Sequence, residues 1–241
     1  GKRNLKVLIP TWRPDVNQDI DLIEELIRIK GFDKINLVEP EKIRNKETLN
    51  FQQKLFHLGQ RSISNKGYYE AVTWSFTDQK IDDLINESNS SIFIVNPISK
   101  ELNVLRRSIF SNLLIYLKKN HDRGFQDIAL FEVGPVFYGK KPGEQQTVIG
   151  AVKSGQINKK SWAEKTRSVD IFDMKTDVIK TLIEMGIRED HLIVSDKSKN
   201  CYHPGRSGSI NFKTSDGPLL AQFGEIHPSI ISKLDYKEKN I

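Results

Sequence analysis

Runs of strand joined by short turns are what most narrow the folds open to this chain. Residues 127–138 form a strand pair or one bulged strand around Gly134 and Pro135, residues 140–146 a hairpin-type loop, and residues 147–153 a further strand. Residues 207–212 and 219–225 make a second pair across the Ser215-Asp-Gly217 turn. Connections this short close only antiparallel neighbours, because a parallel crossover needs a dozen or more residues. Residues 68–76 are β-rich, and 92–95 and 192–194 are short strand candidates. Helical spacing recurs at 49–66 (Phe51, Leu55, Leu58, Ile63), at 79–87, at 109–120 (Leu113, Leu114, Leu117) and at 170–185 (Ile171, Met174, Val178, Leu182, Met185), and a last helix occupies 228–235. Residues 88–91 are a turn cluster and 154–168 a polar loop. Successive strands with helices set around them give an α+β fold built on a mainly antiparallel sheet.

The first forty residues stand apart. Residues 5–9 predict a strand ending at Pro10, followed by a turn and a helix that stops at Gly31. Leu22, Leu26 and Ile29 make one apolar stripe on that helix, and Asp21, Glu24, Glu25 and Arg28 share a neighbouring face. An extended exit follows at 32–38, and the polar residues 39–47 form a linker. Asp15, Asp21, Glu24 and Glu25 can meet in one small volume if the turn folds Asp15 back over the helix start. Two readings remain open on the residues alone. In one, the acids serve the helix: Asp21 and Glu24 form a D-x-x-E cap, and Glu24 lies four residues before Arg28. In the other, oxygen ligands of this density hold a hard divalent cation such as Mg²⁺ or Ca²⁺.

Other polar clusters are weaker. Arg106, in the stretch 96–109 before a helix, either binds an anion or pairs with an acid. Glu132, in Phe131-Glu-Val-Gly134, sits in a common strand pattern. His203 and Arg206 form a compact polar turn beside Cys201, where anion contact by Arg206 and plain turn structure are both better supported than a Cys–His nucleophile. His227 suits capping or packing. No zinc-type spacing, phosphate-binding glycine loop or nucleophile elbow occurs.

The chain has 241 residues, enough for one large domain or a domain plus a piece of another, and its 37% hydrophobic content suffices for a packed core. A net charge of +6 suits a nucleic-acid partner without requiring one, and the basic residues are spread rather than striped. The lone Cys201 excludes an intrachain disulfide and points to a reducing, cytoplasmic setting. No run predicts a signal peptide or a membrane span. A start without Met, inside a predicted strand, suggests a piece cut from a longer protein.

Taken as an ordered set, the motifs say more. Pro10-Thr-Trp-Arg-Pro-Asp15, Asp21-Leu-Ile-Glu-Glu25, Arg28-Ile-Lys-Gly-Phe-Asp-Lys-Ile35, Asn96-Pro97, Leu105-Arg106, Asn112-Leu-Leu114, Phe131-Glu-Val-Gly134, His203-Pro-Gly-Arg206 and Gly224-Glu-Ile-His-Pro228 follow one another in the sequence. In this order the chain resembles the β chain of the bacterial phenylalanine–tRNA ligase family. The resemblance implies a class II aminoacyl-tRNA synthetase-like antiparallel sheet flanked by helices and preceded by part of a small α/β domain. It implies that residues 1–38 are the C-terminal part of a B5-type domain, 39–47 a linker, and 48–241 a catalytically inactive synthetase-like core of the B6/B7 type.

The inactivity has a counterpart in the residues. The strand 220–225 runs on into His227-Pro-Ser-Ile-Ile231 without the phosphate-binding arginine of a class II site, and residues 131–138 lack the arginine that would follow in a catalytic motif. By the same resemblance, the catalytic α subunit binds ATP and phenylalanine in an (αβ)₂ assembly, tRNA(Phe) is engaged by the complete complex, and Asp15, Asp21, Glu24 and Glu25 hold a Mg²⁺ shared with the α subunit. Arg106, Arg206 and His203 are carried as anion or interface candidates. An exposed apolar patch is expected where a large partner docks. The competing functions are a basic nucleic-acid-binding domain and a self-sufficient class II adenylating enzyme.

Overall fold

The computed structural model describes residues 5–39, 48–86, 91–158, 162–163 and 165–236. Two compact units divide the chain, Gly1–Thr48 and Leu49–Ile241. The predicted linker falls almost wholly outside the described residues, as does most of the turn cluster at 88–91.

In the first unit, helix α1 (Asp19–Lys30) is followed by a short 3₁₀ turn, Phe32–Lys34, where an extended exit was expected. Gly31 turns the chain there with φ of 103°, a conformation that favours glycine. The strand expected at 5–9 does not form; these residues are irregular and exposed. No described strand lies in this unit to pair with them, and an unpaired strand leaves its amides unsatisfied. α1 fully buries none of its residues: of the stripe, Leu22 is partly covered while Leu26 and Ile29 are exposed.

The second unit is built around one long hairpin. Strands β5 (Ile128–Phe137) and β6 (Gln145–Ser154) pair antiparallel over ten residues without a bulge. The bulge expected at Gly134 and Pro135 is therefore absent. Phe137 N donates to Arg106 O, away from β6, so Pro135 two residues earlier also turns its nitrogen away from β6. Strand β1 (Tyr69–Glu70) pairs in parallel only with Leu130 and Phe131, so the missing N–H of Pro135 breaks no ladder bond.

A second sheet holds β2 (Phe76–Thr77), β4 (Val104–Leu105) and β3 (Ile92–Phe93), in that order. A third sheet runs β7 (Leu192–Ser195), β8 (Tyr202–Phe212), β9 (Leu219–Ile226), all antiparallel. The polar turn expected at 202–206 lies inside β8. It is a bulge there: Tyr202 pairs with Ile226 and Ser207 with Gly224, so four residues of β8 lie opposite one of β9.

Helices cover both faces of the central hairpin. On one side, α4 (Phe110–Asp122) sets Leu113, Leu114 and Leu117 against Ile128 and Val152, with Ile230 and Ile231 of α6 (Pro228–Lys233) in the same cluster. Each such leucine contributes about 1.5–3 kcal/mol by leaving water. On the other side, Ile63 of α2 (Phe51–Ser64) and Tyr68 pack on Phe131 and Val133. Helix α5 (Ile171–Glu184) lies beside α2, and Lys66 bonds both the Ser62 carbonyl and the Glu184 carboxylate to tie them. α2 and α5 begin at side-chain caps, Asn50 and Asp170, which explains why their starts were readable. Helix α3 (Gln79–Asn86) packs beside α4.

Candidate functional site

The acidic cluster of the first unit is assembled by an arginine. Arg13 N donates to Pro10 O at 3.0 Å and Asn17 Nδ2 to Pro14 O at 2.8 Å, which closes the turn. The Arg13 guanidinium then reaches two carboxylates: Nη2 lies 2.7 Å from Asp15 Oδ2 and 2.6 Å from Glu25 Oε1. Arg28 takes the other oxygen of Glu25 at 2.5 Å. Asp21 faces elsewhere, accepting from Asn17 N at 2.8 Å and Gln18 N at 2.7 Å. It is the third residue of α1 and satisfies amides just ahead of the helix; the expected Asp21–Glu24 cap is not formed. The Glu24 carboxylate makes no side-chain hydrogen bond or ion pair among the described residues.

These contacts set the charges. The Arg13 guanidinium holds Asp15 and Glu25 below their ordinary values, with Arg28 adding to the effect on Glu25. The Asn17 and Gln18 amides do the same for Asp21. Arg13 is held even more firmly protonated by Asp15 and Glu25. As arranged, the carboxylates do not form a cage for a divalent ion. Among the described residues, no group of three or more His, Cys, Asp or Glu is placed to hold a metal. A guanidinium bridges two of the four, and a third is engaged by backbone amides. Arg13 was not singled out in the sequence, although it stands two residues from Asp15 and is the one cation inside the turn.

In the second unit, Arg106 resolves toward pairing. It is 1% exposed, and its Nη1 donates to Glu132 Oε1 at 2.7 Å and to Thr73 Oγ1 at 2.9 Å, while Nε donates to Pro135 O at 2.9 Å. Thr73 Oγ1 donates to the other Glu132 oxygen at 2.7 Å, and Asn112 Nδ2 bonds the Trp74 carbonyl at 2.5 Å. The guanidinium is sealed beneath the hairpin and presents no face to an outside anion or partner, which corrects its place among the anion and interface candidates. Gly134 allows the approach: a Cβ there would sit 2.6 Å from Arg106 Nη2.

Arg206 is half exposed and pairs with Glu225 at 2.9 Å. His203 Nδ1 accepts from Gly205 N at 3.1 Å, so it shapes the β8 bulge. Cys201 is buried. His227 caps α6, accepting from Ser229 N at 3.2 Å, as its junction position suggested. Tyr68, Asp177 and Lys153 form a further network that the sequence did not signal: the phenol donates to Asp177 at 2.8 Å, and Lys153 stands 5.0 Å over its ring.

A mixed sheet core with a parallel entry strand, a long antiparallel hairpin and a terminal strand-to-helix junction defines the class of protein. The structure is similar to pyrrolysyl-tRNA synthetase from Desulfitobacterium hafniense, with a TM-score of 0.59 and 14% identity, covering 90% of this chain and 70% of that one. A second structure of the enzyme from that organism gives 0.57 over 96% of this chain and 76% of that one. The fold is thus that of a class II aminoacyl-tRNA synthetase core.

Sequence comparison narrows the class. Residues 35–241 match the family described as the phenylalanyl tRNA synthetase beta chain CLM domain, and residues 1–32 match the tRNA synthetase B5 domain. The chain belongs to the phenylalanine–tRNA ligase β-subunit family. It is 37% identical to the phenylalanine–tRNA ligase β subunit of Paramagnetospirillum magneticum over 95% of its own length and 28% of that protein. It is 37% identical to the one from Rhodospirillum rubrum over 98% and 29%, and 36% identical to the one from Rickettsia bellii over 98% and 27%. The chain therefore spans a little over a quarter of the length of these relatives. No helix among the described residues is long and apolar enough to cross a membrane.

Proposed function

We propose that this chain is the non-catalytic core of a phenylalanine–tRNA ligase β subunit. In this reading it docks the catalytic α subunit in an (αβ)₂ assembly and supports ATP-dependent attachment of phenylalanine to tRNA(Phe) in the cytoplasm. Residues 1–38 then belong to a B5-type domain and 48–241 to the synthetase-like core. The observation that carries the non-catalytic part is the state of the central hairpin. Its acid, Glu132, is 4% exposed and neutralised by Arg106, and the chain passes from Tyr138 to Gly139 where a phosphate-holding arginine would be needed. α4 packs on one face of the hairpin and α2 on the other.

Docking is supported by the short β2–β4–β3 sheet. Val72 is 90% exposed and Val95 92% exposed beside it, and Trp74, Phe93 and Ile98 are also exposed. Trp74 stacks on Phe76 of β2 at 6.4 Å between ring centres, and Phe93 and Thr77 both pair with Val104, so Phe93 lies in this small sheet and Trp74 against it, while Val72, Val95 and Ile98 belong to the segments flanking its strands. Apolar surface of this kind is what an obligate partner covers.

The acidic cluster is proposed to meet Mg²⁺ only within the assembly. In the isolated chain Arg13 supplies the compensating charge, and a divalent ion shared with the α subunit requires Arg13 to release Asp15 and Glu25. ATP is assigned to the α subunit. The test is phenylalanine-dependent exchange of pyrophosphate into ATP. The chain alone is expected to give none, whereas exchange by the chain alone would establish a self-sufficient adenylating enzyme.

A further inference from the structure

Beneath α5 lies a space that the proposed role does not use. β6 and β9 belong to different sheets, and both line a cavity of about 320 Å³ that α5 roofs. A smaller space of about 40 Å³ adjoins it and shares Phe110, Met174 and Tyr202. No Asp, Glu, Lys, Arg or His lines the larger cavity. Charged groups border only the smaller one, and each already has a partner: Asp170 caps α5, Lys153 pairs with Asp177, and Glu225 pairs with Arg206. A phosphate, carboxylate or ammonium entering the larger cavity would be buried without a counter-ion, which is costly.

Two features favour an aromatic occupant. The chain has two methionines, Met174 and Met185, and both line the larger cavity. Thioethers pack well against aromatic rings and adapt to their outline. Uncharged polar side chains also line the larger cavity: Gln146, Thr147, Thr181, Gln222 and Tyr202. Tyr202 is 5% exposed and packs edge-on against Phe110, with 6.2 Å between ring centres. Burial pushes the ionisation of its phenol far above the ordinary range, so it stays a neutral donor and acceptor. A dry apolar cavity of about 150 Å³ already accepts benzene. The larger volume here has room for two fused rings.

We propose that this cavity is a binding site for a small, uncharged aromatic molecule of indole size that bonds to the Tyr202 hydroxyl. The site is chemically distinct from one for an amino acid or a nucleotide, because both carry charges that nothing in the larger cavity would meet.

The two methionines make the site directly observable. The chain is labelled with [¹³C-methyl]methionine and titrated with indole. Saturable ring-current shifts of both methyl resonances are expected, with none on adding phenylalanine or AMP. Val178→Trp fills the cavity and is expected to abolish the shifts. Tyr202→Phe is expected to weaken indole roughly two- to tenfold, the worth of one hydrogen bond, and to leave naphthalene binding unchanged. The proposal is overturned if indole moves neither methyl up to its solubility limit, if phenylalanine moves both as strongly, or if folded Val178→Trp protein still binds indole. Should Val178→Trp fail to fold, the wild-type titration with its phenylalanine control decides alone.

Discussion

Replacing Glu132 by Ala removes the acid that compensates a sealed arginine. Arg106 is 1% exposed and would keep only Thr73 Oγ1 and the Pro135 carbonyl as partners, two neutral acceptors for a full positive charge. Breaking one side of a buried pair costs about 3–5 kcal/mol, mostly because the remaining charge stays buried. With a urea dependence of about 3 kcal/mol per molar for a chain of this size, the unfolding midpoint should fall by roughly 1–1.7 M. Equilibrium urea unfolding followed by tryptophan fluorescence measures it. Glu132→Gln, which keeps the shape and loses the charge, should fall between the variant and wild type. The double change Arg106→Met with Glu132→Leu should recover much of the loss, since apolar replacements of buried pairs are often tolerated. A Glu132→Ala variant within about 0.5 kcal/mol of wild type, the range of an ordinary surface change, would show that the pair is not sealed beneath the hairpin.

Gly134→Ala should destabilise the same place by about 1–3 kcal/mol, because the added carbon meets the Arg106 guanidinium in a site with no room to yield; unchanged urea midpoints would contradict this. Arg13→Ala should bind Mn²⁺ or Mg²⁺ more tightly than wild type in calorimetric titration, as Asp15 and Glu25 lose their bridging cation; equal affinities would mean the guanidinium does not compete. The folded-state values of Asp15, Asp21 and Glu25 are lowered, so the stability they bring is complete above the ordinary carboxylate value of about 4 and is lost as pH falls through the lowered values. Carboxyl ¹³C titration should place all three midpoints below that value, and a midpoint at or above it would remove the corresponding contact.

Local signals carried most of the helices. The stripes of α2, α4 and α5 and the caps at Asn50 and Asp170 are written within a few residues of each other, so periodicity finds them. Strand content in 68–76 was overread because the chain there contributes two residues each to two different sheets, a division that only tertiary pairing decides. β4 was missed for the same reason: two residues leave no alternation to detect. The polar turn at 202–206 was correct in shape and wrong in context, since a four-residue bulge looks like a turn until its partner strand is known. In the candidate site, the four acids were visible as a cluster. Their charge state was not, because Arg13 reaches Glu25 across twelve residues by way of the folded turn. Arg106 likewise waited on Glu132, twenty-six residues away on another element.

The proposed role turns on whether this chain is built to hold an α subunit. Sedimentation velocity of the chain titrated with the cognate phenylalanine–tRNA ligase α subunit addresses that directly. A faster boundary containing both chains, saturating at equal stoichiometry and weakened by Phe93→Asp on the exposed sheet or by Val72→Asp in the segment leading into it, is the expected outcome. Two boundaries that sediment independently at every ratio would contradict it.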